Sequence, residues 1–231
     1  MKIEHVLYGL FSSKPVIVVI HGFSSRKWHP LNHLIQHFRQ NGFLVMVPEL
    51  FDTNNEHDDN AIEWIERAKI AVKEAFEIKN EVVVIGFSMG GVIASEIAAR
   101  FPLKLLVLIA PAFEYITMKA VKDRLAKRIT RKPEPIAPDQ IYKPLPDTFM
   151  DAFKNVVSIC KHSIKEITCP LLIFHGRSDL KIPLRSSEYV YHHVLSEDKK
   201  LYILEDVQHN IIEDRLYYRD VISIIEQNIK K

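Results

Sequence analysis

The run Val82-Val83-Val84-Ile85 leads straight into Gly86-Phe87-Ser88-Met89-Gly90-Gly91 and then into Ile93-Ala94-Ser95-Glu96-Ile97-Ala98-Ala99. A short β-branched run reads as a strand, and the small-residue run after it reads as a helix. The chain must therefore pass from strand to helix within a few residues, with glycine two positions before a serine and two after it. Side chains at those positions would collide with so tight a backbone, so the glycines mark a sharp bend with Ser88 at its apex. Such a bend exposes the hydroxyl and aims the free N–H groups of the helix start at developing negative charge. The plainer reading is a glycine-lined turn that carries an ordinary serine.

The same alternation fills most of the chain. Val16 to Ile20, Phe43 to Val47, Leu105 to Ile109, Leu171 to Phe174 and Leu201 to Leu204 are short, apolar and mostly β-branched, as strands buried on both faces of a parallel sheet are. Helical patterns lie between them. From Asp58 to Phe76, two aspartates open a segment with Ile62, Ile65, Val72 and Phe76 on its apolar positions and Glu63 set to pair with Arg67. A last helix, near Asp214 to Asn228, places Tyr217, Val221, Ile224 and Ile225 on one face. The predicted class is α/β, a doubly wound and mostly parallel sheet with right-handed crossovers.

Residues 114–167 break the rhythm. They hold five of the 12 prolines and two amphipathic patterns, one with Met118, Val121, Leu125 and Ile129, the other opened by Asp147 with Phe149, Phe153, Val156 and Cys160. This segment is expected to be a small helical cap inserted into a core formed by residues 1–113 and 168–231.

Composition narrows the function classes. With 47% apolar and 26% charged residues, 231 residues suit one globular domain and exclude both disorder and collagen-like repetition. A formal charge of +2 is too small for a surface that tracks nucleic acid throughout. No apolar stretch approaches the roughly 18 residues of a membrane span, so no stable membrane insertion is expected. Met1-Lys2-Ile3-Glu4-His5 interrupts any signal-like run, and Cys160 and Cys169 stand without a disulfide framework. Both features predict a cytoplasmic protein with buried thiols.

Three further motifs follow predicted strands. After Val16 to Ile20 comes His21-Gly22-Phe23, in which Gly22 lets the backbone come close and His21 supports the loop by hydrogen bonding. After Leu171 to Phe174 comes His175-Gly176-Arg177-Ser178-Asp179, with Asp179 placed either to orient an imidazole or to cap the helix opened by Pro183. After Leu201 to Leu204 comes Glu205-Asp206-Val207-Gln208-His209-Asn210. A lone loop histidine is ordinarily a solvated surface residue, and only its position sets His209 apart from the other histidines. The order is Ser88, Asp179, His209, each on a loop after a strand. Of the 7 glycines, Gly22, Gly86, Gly90, Gly91 and Gly176 fall in three of these four motifs.

On these motifs the sequence resembles the α/β-hydrolase superfamily of serine hydrolases, and within it the small cap-bearing carboxylesterases and monoacylglycerol lipases. The resemblance implies an α/β-hydrolase fold with the cap after its sixth strand, a catalytic triad of Ser88, Asp179 and His209, and an oxyanion hole from the N–H groups of Phe23 and Met89. It further implies cleavage of carboxylic esters of small to medium acyl chains through an acyl-enzyme on Ser88, with no metal and no organic cofactor. An acyl-CoA or other thioester, or an acyl or aminoacyl peptide, suits the same triad. The non-enzyme alternative is a hydrolase-fold binding module that has lost catalysis. Two departures stand out: Gln208 precedes the histidine where many relatives have a small residue, and Gly22 is single where esterases of the HGGG type have three. The single glycine argues against bulky tertiary-alcohol esters. A serine at position 88 argues against the dehalogenase and epoxide-hydrolase branches, whose nucleophile is aspartate.

The substrate depends on the cap. Met118, Val121, Leu125, Phe149 and Phe153 are candidates to line an acyl pocket, with plain cap-to-core packing as the alternative for each. Residues 114–133 carry seven basic and two acidic side chains, a local +5 against +2 for the whole chain. That charge suits a solvated outer face, a site for an anionic substrate such as acyl-CoA, or a weak membrane-surface contact. The expected partner is a small-molecule ester or thioester and not a nucleic acid; oligomeric state is unspecified. His29, His33 and His37 recur every four residues and would share a helix face able to bind a transition metal, but no carboxylate or cysteine completes the set, and no metal is expected.

Overall fold

In the computed structural model, which describes residues 13–24, 27–114 and 145–231, each apolar run of the sequence contributes a strand to one sheet. The elements follow in the order β1 (Val16–Ile20), α1 (Asn32–Gln40), β2 (Val45–Met46), α2 (Ala61–Ile78), β3 (Val82–Phe87), α3 (Met89–Ala98) and β4 (Leu105–Ile109). After the undescribed stretch come α4 (Asp147–Cys160), β5 (Leu171–Gly176), α5 (Arg185–His193), β6 (Lys199–Leu204) and α6 (Tyr218–Ile229). Strand order is β2-β1-β3-β4-β5-β6, and every neighbouring pair is parallel. The chain winds outward from β1 to β2 and then returns to β3, so the winding direction reverses beside β1.

Alternation along the strands divides the interior into two cores. Ile17, Val19, Val83, Ile85, Val107 and Phe174 pack with Leu34, Ile35 and Phe38 of α1 and Val221, Ile222 and Ile225 of α6. Val18, Ile20, Val84, Leu106 and Ile173 pack on the opposite face with α2, α3 and α4. Burial on both faces is why these strands read as unbroken apolar runs.

Helix α2 begins where Asn60 Oδ1 accepts from the Ile62 N–H at 3.0 Å, and the expected Glu63–Arg67 pair forms at 3.1 Å. Its buried stripe is Ala61, Trp64, Ile65, Ala68, Ala71, Val72 and Ala75. Ile62, expected on the apolar face, is exposed, because Trp64 and the alanines occupy the core side. Helix α4 buries Phe149, Phe153, Val156 and Cys160, the pattern read from the sequence.

Two strands differ from expectation. β2 is only two residues long, and β6 is half-buried along its whole length because it forms an edge, opened by Lys199 and Lys200. Charged residues and short length are how edges resist pairing with another chain. Counted over the described residues, the segment after Phe113 follows the fourth strand; residues 1–12 lie outside the described chain. Met118, Val121, Leu125 and the basic run also lie outside it.

Cys160 and Cys169 are buried free thiols whose pKa burial raises to about 12 and about 11. They stay protonated and unreactive at neutral pH. Among the described residues no helix is long and apolar enough to cross a membrane.

Candidate active site

All four motif loops leave the sheet at the C-terminal ends of strands, and in a parallel sheet those ends share one edge. Ser88 stands between β3 and α3 with φ 54° and ψ −118°, a conformation that side-chain-bearing residues rarely adopt. The surrounding backbone holds it there. Ser88 N–H donates to Ile109 O at 2.9 Å, and the Gly91 and Ala112 N–H groups donate to Ser88 O at 3.0 and 3.1 Å.

The serine hydroxyl lies 3.2 Å from His209 Nε2, and His209 Nδ1 lies 2.7 Å from Asp179 Oδ2. A carboxylate only accepts, so Nδ1 carries the proton and donates it to Asp179. That leaves the Nε2 lone pair facing the serine O–H. The other carboxylate oxygen, Oδ1, accepts from the Lys181 and Ile182 N–H groups at 2.8 and 3.0 Å. Asp179 thus caps its own 179–182 turn and not the helix after Pro183, which begins at Arg185 without a side-chain cap, and its second oxygen is left for the imidazole. Burial opposes ionisation of this carboxyl, but the hydrogen bonds from His209 and the two N–H groups outweigh it and hold the pKa below the usual carboxylate range.

The acid and histidine loops are tied to each other. Arg177 N–H donates to Leu204 O at 2.9 Å, Ser178 N–H donates to Val207 O at 3.1 Å, and the Arg177 guanidinium grips Glu205 at 2.7 and 2.8 Å. The Phe87 ring backs the imidazole at 4.9 Å. Gln208, which stands where many relatives have a small residue, is exposed to solvent between buried Val207 and buried His209.

The β1 loop lies directly on the serine: a Cβ added to Gly22 would stand 3.2 Å from Ser88 Cβ. Phe23 follows, and its ring stacks on Phe153 of α4 at 5.4 Å and 17°. Phe149, one turn earlier on α4, is fully buried against Phe51 and Trp64 at 5.6 and 5.5 Å, so it packs into the core. Met89 opens α3 with its side chain buried, and the first N–H groups of a helix have no partner within it.

His21 Nδ1–H donates to Gly22 O at 2.9 Å, and Nε2 accepts from the Leu50 N–H at 3.2 Å. The imidazole is thus neutral and straps the β1 loop to the chain beyond β2. Burial lowers its pKa from 6.5 to about 4. The unfolded chain takes up this proton below 6.5 while the folded chain does not until about 4, so stability is full above that window and is lost as pH falls through it. The loss from this one group is about 3 kcal/mol. Urea midpoints between pH 7 and 4 should fall more steeply for the wild type than for His21→Gln, which keeps an acceptor for Leu50 and has nothing to protonate; parallel declines would show that His21 titrates normally.

The three helix-face histidines go to separate neighbours: His29 Nδ1 to Glu213 at 2.7 Å, His37 Nε2 to Glu226 at 2.9 Å, and the His33 ring to Tyr218 at 5.1 Å. His175, one residue before Gly176, is fully buried with Nε2 3.8 Å from Asp179 Oδ2. Sequence reading passed over it, although an imidazole inside an apolar strand was the signal.

The model of the family described as Serine aminopeptidase, S33 matches residues 59–215, more than half of the chain. The chain belongs to this family. It is an α/β-hydrolase of the serine hydrolase type, as the motifs implied. This hydrolase is 28% identical over 170 residues to human Serine hydrolase BPHL, a match spanning 66% of the chain but only 57% of that relative. It is 26% identical over 251 residues to the monoacylglycerol lipase of Mycolicibacterium smegmatis, spanning 93% of the chain and 89% of the lipase. Among solved structures, one of the metagenome-derived lipolytic enzymes LipS and LipT matches with a TM-score of 0.77 at 20% identity, covering 94% of both chains. That likeness is one of fold.

Proposed function

We propose that this hydrolase cleaves carboxylic esters of small to medium acyl chains through an acyl-enzyme on Ser88. The observation that carries the reading is the continuous path from Ser88 Oγ through His209 to Asp179, at 3.2 and 2.7 Å, with Ser88 at the head of α3. As Ser88 Oγ attacks the acyl carbonyl carbon, its proton passes to His209 Nε2. Asp179 keeps the imidazole in the right tautomer and stabilises the imidazolium. The carbonyl π pair becomes an oxyanion that the Phe23 and Met89 N–H groups hold. The tetrahedral intermediate then expels the alcohol, which takes the proton from His209, and leaves the acyl group on Ser88. Water adds by the same steps in reverse order of roles, releasing the acid and restoring the serine. Residues 114–167 act as the cap, and the Phe23–Phe153 stack flanks the acyl path.

A fluorophosphonate probe should label the wild type at Ser88 and leave Ser88→Ala unlabelled. Labelling that persists in the variant would place the nucleophile elsewhere. The substrate class follows from rates on p-nitrophenyl esters of increasing chain length beside an acyl-CoA thioester and an aminoacyl p-nitroanilide. The last belongs in the panel because the family's description names an aminopeptidase. The fastest turnover is expected on the shorter esters, and a preference for the anilide would make this chain a peptidase.

A further inference from the structure

We propose that His175 is a positioning residue for the catalytic acid: clamped between Ser187 and the Ile182 carbonyl, it fixes the 179–182 turn so that Asp179 Oδ2 faces His209. The inference rests on the proposed roles of Ser88, Asp179 and His209. It starts from an imidazole where the strand would otherwise be hydrocarbon, since Leu171, Leu172, Ile173 and Phe174 fill the rest of β5. A fully buried imidazole is costly unless both nitrogens are satisfied. Both are. The Ile182 carbonyl, 3.1 Å from Nε2, can only accept, so Nε2 carries the proton and donates it there. Nδ1 then accepts from the Ser187 hydroxyl at 2.7 Å.

The clamp has a fixed base. Ser187 lies in the first turn of α5, and its neighbour Ser186 donates its hydroxyl proton to Pro111 O at 2.6 Å; both serines are fully buried. The turn is thus gripped at two points. Asp179 Oδ1 takes the Lys181 and Ile182 N–H groups, and His175 takes the Ile182 carbonyl.

The same geometry keeps His175 from competing for the acid. At 3.8 Å its Nε2 stands outside hydrogen-bond reach of Asp179 Oδ2, and its one proton is committed to Ile182. Burial lowers its pKa against the opposing pull of Asp179 and the Ile182 carbonyl, while His209 reinforces the lowering and Glu188 opposes it. A neutral His175 leaves the full charge of Asp179 to His209. A charged or reoriented one would share it.

The test compares full-length wild type, His175→Leu and His175→Gln, with each rate divided by the concentration of sites titrated by a fluorophosphonate. His175→Leu removes the donor to Ile182 and should lower kcat per titrated site by roughly 100-fold, the scale of a catalytic group displaced by about 1 Å, with KM changed less than about twofold. The acid limb of the kcat/KM profile should move to lower pH, because a loosened Asp179 stabilises the His209 imidazolium less. His175→Gln, whose side-chain amide can donate to Ile182, should recover most of both. Where His175→Leu accumulates poorly, Ser187→Ala serves instead, with a smaller loss and the same direction of shift. A His175→Leu enzyme that keeps its rate per site and its acid limb while losing only Tm overturns the proposal and leaves the triad intact. A wild type that the probe does not label at Ser88 removes the reading beneath it.

Discussion

Ser88→Ala and Ser88→Gly are each expected to lower kcat on the p-nitrophenyl esters by on the order of 10⁶, the loss seen when a serine nucleophile is removed from a triad acting as a unit. Their stabilities should part. Ser88 sits at φ 54° and ψ −118°, where the Cβ of any L-residue crowds the backbone. Strain of that kind costs about 1–3 kcal/mol and persists only where surrounding contacts enforce it, here the three backbone hydrogen bonds to Ile109, Gly91 and Ala112. Alanine keeps the Cβ and so keeps the strain. Glycine removes it, at a cost in unfolded-chain entropy of up to about 1 kcal/mol. Urea unfolding should therefore place Ser88→Gly about 1 kcal/mol above Ser88→Ala, both of them inactive. A glycine variant no more stable than the alanine variant would mean that the serine is not held under strain. The comparison separates what the bend contributes to function from what it costs the fold.

The framework was readable because a parallel sheet buried on both faces leaves a strong trace: Val16 to Ile20 and Val82 to Ile85 have no polar residue to offer solvent. The meeting of Ser88, Asp179 and His209 was readable for a related reason. Loops that follow parallel strands must emerge at one edge, so the chain order Ser88, Asp179, His209 was enough to bring them together. What the sequence could not carry was the identity of distant neighbours. Leu201 to Leu204 is as apolar as β5, and only its place at the end of the strand order makes β6 a half-buried edge. Phe149 and Phe153 are one helical turn apart and equally apolar. Trp64 and Phe51 meet the first, Phe23 stacks on the second, and these partners come from α2, the loop before it and the β1 loop. The three histidines near α1 share a spacing, yet Glu213, Tyr218 and Glu226 near the C-terminus separate their roles. His175 reads in sequence as the residue after a strand, whereas it is the fifth residue of β5 and the turn brings the Ile182 carbonyl back to it.

Gly90→Ala should be severely damaging although it adds a single methyl group. Gly90 is the second residue of α3, and alanine exceeds glycine in helix propensity by about 1 kcal/mol, so an isolated helix would gain. Packing reverses the sign. The new Cβ would stand 2.2 Å from Ile20 O and 2.5 Å from His21 O, both backbone atoms at the end of β1, and no rotamer change can move them away. Either α3 or the end of β1 must shift. A shift of β1 strains its register with β3, where Ile20 pairs with Gly86, and carries the Gly22–Phe23 loop off Ser88. The expected cost is about 4 kcal/mol or more, at the upper end of single substitutions. On the proposed mechanism any folded fraction should also lose roughly 100-fold in kcat, since the Phe23 and Met89 N–H groups would no longer share one oxyanion. Gly91→Ala is the control. One residue further along the same helix, its Cβ would meet Pro111 Cα and Cβ at 3.1 Å and Gly86 O at 3.4 Å, contacts that a few tenths of an ångström relieve. It should lie within about 1 kcal/mol of wild type, because the propensity gain offsets the small adjustment. Urea midpoints and rates per titrated site measure both variants together. Equal stability for the two would mean that α3 does not rest on the end of β1, and the Gly22–Phe23 loop would then have no fixed relation to Ser88.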